Sequence, residues 1–266
     1  MITLRTLAER LARGRSLKRT IQVGSVRVPV IVTPDAQLKY LKTGPGAFDA
    51  DLIALAQSCL EPEDIVWDIG ANVGVFALAA SVTAKSVLAV EADIWLAGLI
   101  RRSLALPDNA GRAISVLPVA LDAQDGVAAF YIAQRGRASN ALASAGGRTQ
   151  MGGVREVVLT PTLTLDTLLK TFPPPSVIKM DVEGAEKAVL DGGTTLLRDH
   201  DPLLYIEIGK ELNEAVASLL LGMGYALFDE AGTAISISAM RGANYFFAKP
   251  TQTHRLDQWR KQQGRA

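Results

Sequence analysis

The sequence predicts a doubly wound α/β fold, in which helices cover both faces of a mostly parallel sheet. Strand patterns alternate with helix patterns from residue 65 to residue 222, the order expected of a parallel sheet with crossover helices. The strand patterns are short apolar runs, which indicates strands buried on both faces. Three of these strands end in a carboxylate, at Asp68, Asp181 and Glu207. Because the carboxyl ends of parallel strands share one edge, these side chains are expected to converge on one crevice.

The composition is that of one large globular domain. The 266 residues are 48% hydrophobic, which is enough to bury a full core. No apolar stretch reaches 18 residues, so no transmembrane segment is expected. The single cysteine, Cys59, excludes an internal disulfide and a cysteine-cluster metal site. No signal peptide is recognised, and a cytoplasmic location is therefore expected.

The formal net charge of +1 is distributed unevenly along the chain. Residues 1–20 carry +5 and residues 249–266 carry +4, which leaves −8 for the segment between them. An acidic body argues against nucleic-acid binding through the central fold. The basic ends are interpreted as solvated tails, with contact to a membrane surface or an anionic carrier as the alternative.

Local patterns place the elements in order. A short amphipathic helix is predicted for residues 2–13, although an arginine-rich start is also typical of an organelle transit peptide. Pro29 indicates that the first strand lies at an edge. Strands are predicted at residues 26–32, 65–67, 86–90, 114–121, 127–133, 154–159, 177–180, 203–206, 225–228 and 245–248. Helices are predicted at residues 48–60, 75–80, 94–106, 163–169 and 213–221, and after Gly184 until Gly192-Gly193.

Residues 134–153 differ from the rest of the chain. They are rich in Gly, Ala, Ser and Arg and show little hydrophobic periodicity. A loop of this length inside a compact domain is usually functional or disordered. We interpret it as a mobile substrate lid, which makes Asn140 a candidate substrate contact.

The first long strand leads into the turn Asp68-x-Gly70-x-Asn72-x-Gly74. The glycines allow a tight turn and close approach of a ligand, and the following helix directs its first amides into the same crevice. The dinucleotide pattern Gly-x-Gly-x-x-Gly has a glycine where this turn has Asp68. A carboxylate repels a pyrophosphate and attracts an ammonium group, which favours S-adenosylmethionine. The alternative is a connection whose glycines only supply positive φ.

A second carboxylate supports the ligand interpretation. Glu91 follows the next predicted strand, 17 residues after Gly74. An acidic residue about 20 residues beyond such glycines is the usual partner of a ribose diol. Taken alone, Glu91 could equally be a helix N-terminal charge.

These motifs, in this order, resemble the FkbM family of S-adenosylmethionine-dependent methyltransferases over residues 45–210. The resemblance is carried by Trp67-Asp68-Ile69-Gly70-Ala71-Asn72-Val73-Gly74, Val90-Glu91, Pro118-Val119-Ala120-Leu121, Thr164-Leu165-Asp166-Thr167-Leu168-Leu169, Ile178-Lys179-Met180-Asp181-Val182-Glu183-Gly184-Ala185-Glu186, Leu190, Gly192 and Glu207. It implies the Rossmann-like class I methyltransferase fold, a seven-stranded sheet with one antiparallel strand near its edge. An N-terminal strand and helix segment and a β-hairpin insertion are expected as additions. The cofactor-binding residues it implies are Asp68, Gly70, Ala71, Asn72, Gly74, Glu91, Ala120 and Asp181.

The resemblance further implies O-methylation, often of a sugar or secondary-metabolite hydroxyl. Methyl transfer is an in-line displacement that depends on alignment, and a carboxylate within reach can take the hydroxyl proton. Asp181 is the first candidate for this base and Glu183 the second, although Glu183 could equally be a helix-start charge. Lys179 could tune Asp181 or contact substrate. Glu207 either lines the acceptor pocket or pairs with a basic neighbour.

Two alternatives remain open from the sequence. One is an NAD-dependent oxidoreductase on a similar sheet, and the other is a catalytically silent S-adenosylmethionine-binding partner subunit. The expected acceptor is a small hydroxylated molecule, either free or linked to a carrier or lipid. No metal site and no nucleic-acid partner are predicted. The predicted organisation is an extension at residues 1–45, a methyltransferase domain at 46–250 and a basic tail at 251–266.

Overall fold

A computed structural model describes residues 11–145, 151–262 and 264 of the protein. Its strands are β1 Leu17–Val23, β2 Val26–Val32, β3 Ile65–Ile69, β4 Ser86–Val90, β5 Ile114–Leu117, β6 Ala120–Leu121, β7 Gly126–Ala133, β8 Ala141–Leu142, β9 Val154–Leu163, β10 Val177–Met180, β11 Leu203–Glu207, β12 Ala226–Phe228 and β13 Asn244–Ala248. Its α-helices are α1 Ala50–Ser58, α2 Val75–Ala80, α3 Ile94–Leu104, α4 Leu165–Leu168, α5 Glu186–Asp191, α6 Thr194–Asp199, α7 Asn213–Gly222 and α8 Thr253–Gln262. Of the predicted helix at residues 2–13, the first nine residues lie outside the described ranges.

The main sheet has seven strands in the order β12-β13-β11-β10-β3-β4-β5. Its strands are parallel except β13, which runs antiparallel to both β11 and β12. This arrangement confirms the predicted class I methyltransferase fold. From the central strand β3, the chain adds β4 and β5 on one side of the sheet and then β10 and β11 on the other side. The strand order therefore reverses at β3. A ligand crevice is expected at such a reversal, beside the carboxyl ends of β3, β4 and β10.

Both faces of the main sheet are buried, as the apolar strand runs predicted. One face packs against the β1–β2 hairpin and helices α1, α2, α3 and α8, through residues such as Leu55, Phe76, Ile100 and Trp259. The opposite face packs against helices α5, α6 and α7, through Val189, Leu196 and Val216. Within the described ranges, no helix is long and apolar enough to cross a membrane.

The N-terminal hairpin is fixed to the domain by buried hydrogen bonds. Strand β2 has the predicted bounds, and it pairs with β1, which the sequence analysis did not predict. The amide of Ile31 donates a hydrogen bond to Ser103 Oγ at 2.8 Å, and Asn109 Nδ2 donates one to the carbonyl oxygen of Pro29 at 2.8 Å. Since Pro29 has no amide hydrogen, its edge position agrees with the prediction.

The prediction of one continuous strand at residues 114–121 is wrong. It divides into β5, which belongs to the main sheet, and β6, which pairs with β9 in a separate four-stranded sheet of order β6-β9-β7-β8. Pro118 separates the two strands, because a proline cannot donate the hydrogen bond that would continue the ladder. The strands β7 and β9 pair antiparallel and form the expected hairpin insertion.

Within the predicted basic tail at residues 251–266, residues 253–262 form helix α8, which packs against the domain. Arg255 is buried and donates two hydrogen bonds to the carboxylate of Asp64, at 2.7 and 2.8 Å. The ring of Trp259 lies 5.3 Å from that of Phe246 in the core. Helix α6 was also missed, because it begins directly after the glycine pair that ends α5.

Candidate active site

Two neighbouring cavities open at the carboxyl edge of the main sheet. The inner cavity has a volume of about 60 Å³ and is lined mainly by the ends of β3, β4 and β10 and by β6. The outer cleft is wider, with a volume of about 570 Å³. Asn72, Ala138, Asp181 and Glu183 line both spaces and therefore stand at their junction.

The turn between β3 and α2 is held tightly against β4 and β10. The amides of Gly70 and Ala71 donate hydrogen bonds to the carbonyl oxygen of Val90, at 2.9 and 3.0 Å. Gly70 has a φ of +72°, and a Cβ at this position would lie 1.8 Å from the carbonyl oxygen of Asp181. Only glycine fits this crossing, which brings the ends of β3 and β10 together.

Asn72 lies in this turn with a φ of +54°, a conformation uncommon for a residue with a side chain. Its amide donates a hydrogen bond to Glu91 Oε2 at 2.7 Å. Its side-chain oxygen is buried and has no hydrogen-bond partner in the described part of the chain. An acceptor of this kind beside a cavity is available to a ligand that donates a hydrogen bond.

Ala71 and Gly74, two predicted cofactor contacts, do not line the inner cavity. Gly74 has a φ of +81°, and a Cβ there would lie 3.0 Å from Ile100 Cγ1. Gly74 therefore serves the turn and the close packing of α2 against α3. Ala71 contributes its backbone amide to the contact with β4.

Asp68 is fully buried beneath the turn and lines neither the inner cavity nor the outer cleft. Its Oδ2 accepts a hydrogen bond from the amide of Ala77 at 3.0 Å, and its Oδ1 lies 3.5 Å from Lys179 Nζ. Burial raises the pKa of this carboxyl, and the Lys179 ammonium opposes the rise. The cation that Asp68 meets in the structure is Lys179, and its expected contact with a ligand ammonium stays a prediction.

Glu91 follows β4 as predicted and lines the inner cavity. Its two carboxylate oxygens accept hydrogen bonds from the amides of Asn72, at 2.7 Å, and Asp93, at 2.8 Å. Burial raises the pKa of Glu91 to about 8, and the hydrogen bonds from these amides oppose the rise only in part. The cavity wall therefore contains a carboxyl group that changes its protonation near neutral pH.

Lys179 on β10 holds a buried positive charge beneath the site. Its Nζ donates a hydrogen bond to the carbonyl oxygen of Gly70 at 2.9 Å. The same atom lies 3.5 Å from Asp68 Oδ1 and 3.9 Å from Asp181 Oδ2. Burial lowers the pKa of Lys179, but the neighbouring carboxylates, first Asp68 and then Asp181 and Glu207, outweigh burial and raise it. Lys179 is thus a charged bridge between a buried carboxylate and an accessible one.

The structure brings the two candidate catalytic carboxylates together. Asp181 follows β10, has 34% of its side chain exposed and lines both cavities. Glu183 lines both as well, and it has a φ of +52°. Strained backbone of this kind is often found at functional sites. Glu186 accepts a hydrogen bond from the amide of Gly184 at 3.0 Å, which fixes the turn that presents Glu183.

Ala120 and Glu207 lie on different sides of the site. Ala120 on β6 lines the inner cavity beside Val119 and Phe130 and gives it an apolar wall. Glu207, the last residue of β11, lines the outer cleft. The inner cavity therefore combines an apolar wall with the Glu91 carboxyl, whereas the outer cleft is mainly polar.

Residues 134–145, called the roof loop below, close one side of the inner cavity. They contain a 3₁₀ helix at Arg137–Ser139 and strand β8, where the sequence analysis expected only a mobile lid; residues 146–150 of that lid lie outside the described ranges. Arg137 donates hydrogen bonds to Asp35, at 3.1 Å, and to Asp93. Its guanidinium lies 4.8 Å from the centre of the Trp95 ring. The sequence did not predict the contacts of Arg137, because Asp35 is 102 positions away from it and Asp93 is 44 positions away.

Asn140 lines the inner cavity, but its side chain is already engaged in the protein. Its Nδ2 donates a hydrogen bond to Asp93 Oδ2 at 2.8 Å, and its Oδ1 accepts one from the amide of Ala133 at 2.8 Å. Asp93 also caps α3 by accepting a hydrogen bond from the amide of Trp95. Asn140 therefore ties the roof loop to α3, and its expected contact with substrate stays a prediction.

The seven-stranded order, the antiparallel β13 and the acidic residue after β4 together define the class I methyltransferase fold. Residues 68–227, more than half of the chain, match the model of the methyltransferase FkbM domain. The chain belongs to this family, and it is a methyltransferase that uses S-adenosylmethionine. This assignment removes the NAD-dependent oxidoreductase alternative.

Several solved structures are similar to this chain at low sequence identity. The methyltransferase FkbM from Methylobacillus flagellatus is 13% identical, with 80% of this chain and 58% of that chain covered and a TM-score of 0.49. Precorrin-6y C5,15-methyltransferase from Geobacter metallireducens is 14% identical, with 74% and 84% covered and a TM-score of 0.42. An rRNA methylase from Streptococcus thermophilus is 13% identical, with 74% and 93% covered and a TM-score of 0.44. No curated protein matches the chain.

Proposed function

We propose that this methyltransferase transfers the methyl group of S-adenosylmethionine to a hydroxyl of a small acceptor, such as a sugar or a secondary metabolite. One observation carries the proposal: the carboxylate of Asp181 lines both the inner cavity and the outer cleft. A group at this junction can act on a donor held in one space and an acceptor held in the other.

The residues of the inner cavity fit S-adenosylmethionine. Glu91 supplies a buried carboxylate for the ribose hydroxyls, and Asn72 supplies a side-chain oxygen that lacks a partner in the described ranges. Gly70 and Ala120 allow close approach of the ligand to the turn and to β6. When bound, the cofactor supplies a methyl group on a sulfonium centre, which is electrophilic. Because Asp68 is buried, its proposed role is to hold Lys179 and the start of α2 in place.

Asp181 is the proposed general base. An alcohol attacks poorly until its proton is removed, and a carboxylate within hydrogen-bond reach can accept that proton. Lys179 fixes the position of this carboxylate from below, at 3.9 Å, so it is proposed as a positioning residue. Glu183, on the strained turn at the same junction, is the second proposed acceptor of the proton.

The outer cleft is the proposed acceptor site. Its volume of about 570 Å³ is within the range of small-molecule sites, which is about 300–1,000 Å³. Lys39, Arg135, Glu183 and Glu207 give its wall charges of both signs. This mixed lining supports a polar small molecule more than a polyanionic nucleic acid.

The test measures methyl transfer from labelled S-adenosylmethionine to a panel of hydroxylated sugars and polyketide alcohols. Asp181→Asn is expected to lower kcat by about a hundredfold or more, the usual contribution of a general base. Its affinity for S-adenosylhomocysteine, measured by calorimetry, is expected to change much less than kcat, although Asp181 also lines the inner cavity. Asp108→Asn is the control, because Asp108 is an exposed carboxylate in a 3₁₀ helix away from both cavities.

Two outcomes contradict the proposal. Full activity of Asp181→Asn would remove Asp181 as the base. Tight binding of S-adenosylhomocysteine without transfer to any hydroxyl acceptor would instead favour the silent partner subunit.

A further inference from the structure

A third space, called the side cavity here, adjoins the outer cleft near the ends of β10 and β11. Its volume is about 180 Å³. Gln37, Asp181 and Glu207 line both the cleft and the side cavity, so a molecule in the cleft can extend a substituent into it. Asp51 and Tyr205 line the side cavity but not the cleft.

The side cavity is strongly acidic. Four carboxylates line it, from Asp49, Asp51, Asp181 and Glu207, against the single ammonium of Lys179. That ammonium already lies between two carboxylates, beneath the cavity. Asp49 is paired with Lys39, whereas Asp51 makes no ion pair within the described ranges. Asp51 therefore contributes a negative charge that no described cation neutralises.

The hydroxyl of Tyr205 is a polar group in the wall of the side cavity that is available to a ligand. Its side chain is 3% exposed, it lines the side cavity, and it lies opposite Lys179 in the register between β10 and β11. Its ring is fixed by the ring of Phe246, with 4.8 Å between centroids. Its hydroxyl makes no hydrogen bond to any residue that the structure describes. Burial first, and then the carboxylates led by Asp51, raise the pKa of this hydroxyl, which therefore stays neutral.

Gln37 supplies a second acceptor without a partner. Its side-chain Oε1 is buried and accepts no hydrogen bond within the described residues, and the residue lines the side cavity. The Tyr205 hydroxyl oxygen, the Gln37 amide oxygen and the Asp51 carboxylate are together suited to a ligand that carries positive charge and several N–H donors. An anionic group would be repelled from the same space.

A metal ion fits less well than an organic cation. Among the described residues, no group of three or more His, Cys, Asp or Glu side chains is placed to hold one. An aromatic ring beside carboxylates is a common environment for an ammonium group.

We propose that the side cavity binds an ammonium group of the acceptor, with Asp51 and Tyr205 as the recognising residues. The methyl acceptors would then be hydroxylated amines, such as amino sugars. This inference rests on the proposed function, because it places the amine beside the hydroxyl that Asp181 deprotonates.

The experiment compares binding of glucosamine, N-acetylglucosamine and glucose to the protein saturated with S-adenosylhomocysteine, by saturation-transfer NMR titration. These sugars differ in the charge of one substituent. Wild type is expected to bind glucosamine about threefold to fivefold more tightly than either neutral sugar, which is the ratio that a partly exposed ion pair supplies. Asp51→Asn and Tyr205→Phe are each expected to reduce this ratio toward one.

Glu214→Gln is the matched control. Glu214 is an exposed carboxylate in the first turn of α7, as Asp51 is in the first turn of α1, so both variants lose one charge from a helix start. The control should keep the preference for glucosamine. Equal or undetectable binding of glucosamine by wild type, or an unchanged preference in both site variants, would overturn the inference. Calorimetry with S-adenosylhomocysteine separates this result from failure of the proposed function, because loss of cofactor binding would affect the function itself.

Discussion

In the unliganded protein, burial disfavours the ionised form of the Glu91 carboxyl group. Glu91 is 7% exposed, and among the described residues its carboxylate receives hydrogen bonds only from the backbone amides of Asn72 and Asp93. Because burial raises its pKa to about 8, the unliganded protein binds a proton there at neutral pH. Ribose hydroxyls are hydrogen-bond donors, so they favour the ionised form.

Cofactor affinity is therefore expected to depend on pH through Glu91. A ligand that prefers the carboxylate lowers its pKa and releases a proton on binding, so affinity should rise with pH up to about 8 and level off above it. The rise approaches tenfold per pH unit while one proton is released. Calorimetric titration with S-adenosylhomocysteine at several pH values measures it. The Glu91→Gln variant should bind more weakly and without this slope, and a flat wild-type profile would exclude the mechanism.

The sequence predicted where such residues lie better than what they contact. Glu91 and Asp181 could be placed at the site because each follows a buried apolar strand. Asp68 also lies at the carboxyl end of a buried strand, but its side chain is buried beneath the turn beside Lys179. The side chain of Asn140 donates a hydrogen bond to Asp93. Nothing local in the sequence distinguishes these cases, because side-chain direction depends on partners that are distant along the chain.

At the scale of elements, the roof loop closes one side of the inner cavity. A volume of about 60 Å³ is well below the roughly 300 Å³ of a small ligand site, so we expect the walls to move when the cofactor binds. Arg137 connects the roof loop to the segment after β2 through Asp35 and to the start of α3 through Asp93. Both carboxylates are nearly fully buried, which makes this link costly to break.

Replacement of Arg137 by Met is expected to loosen the roof loop. The change leaves buried Asp93 without its cation, and such a loss costs about 3 kcal/mol or more in stability. Amide hydrogen exchange should accelerate in residues 134–145, and S-adenosylhomocysteine should bind more weakly. Arg135→Met is the control, because Arg135 is exposed and lines the outer cleft. Equal exchange in both variants would show that Arg137 does not hold the loop.

The first and last residues of a helix or strand could be predicted where a local run of apolar residues determines them. The predicted bounds of α2 and β4 agree with the structure, since each is a compact apolar run between polar or turn residues. The division of residues 114–121 between two sheets was not predictable from hydrophobicity, because the run stays apolar across Pro118. Strand β1 was missed because charged and polar residues interrupt its apolar positions.

At the scale of the whole molecule, Asp64 connects the C-terminal helix α8 to the central sheet. Arg255 of α8 is 191 positions away from it, and both side chains are about 5% exposed or less. Asp64 also accepts hydrogen bonds from the amide of Glu61 and from Ser176 Oγ, each at 2.6 Å. The carboxylate therefore joins α8 to the amino ends of β3 and β10. Composition alone suggested a solvated basic end, because a contact over this distance has no signature in sequence.

The ion pair between Arg255 and Asp64 is expected to contribute strongly to the stability of the whole domain. Arg255→Met leaves Asp64 buried without its cation, so the free energy of unfolding is expected to fall by about 3–5 kcal/mol. Arg260→Met removes the same type of charge from a more exposed position on α8 and is expected to cost less than about 1 kcal/mol. Urea unfolding followed by both tryptophan fluorescence and circular dichroism measures these losses.

The two probes should give coincident transitions in both variants, because Leu256 and Trp259 of α8 belong to the same core as Phe76 and Ile100. A separate early transition in wild type, with equal effects of the two substitutions, would instead make α8 an independent appendage. Coincident transitions would make α8 part of the folding unit that holds β3 and β10, and therefore of the support for Asp181.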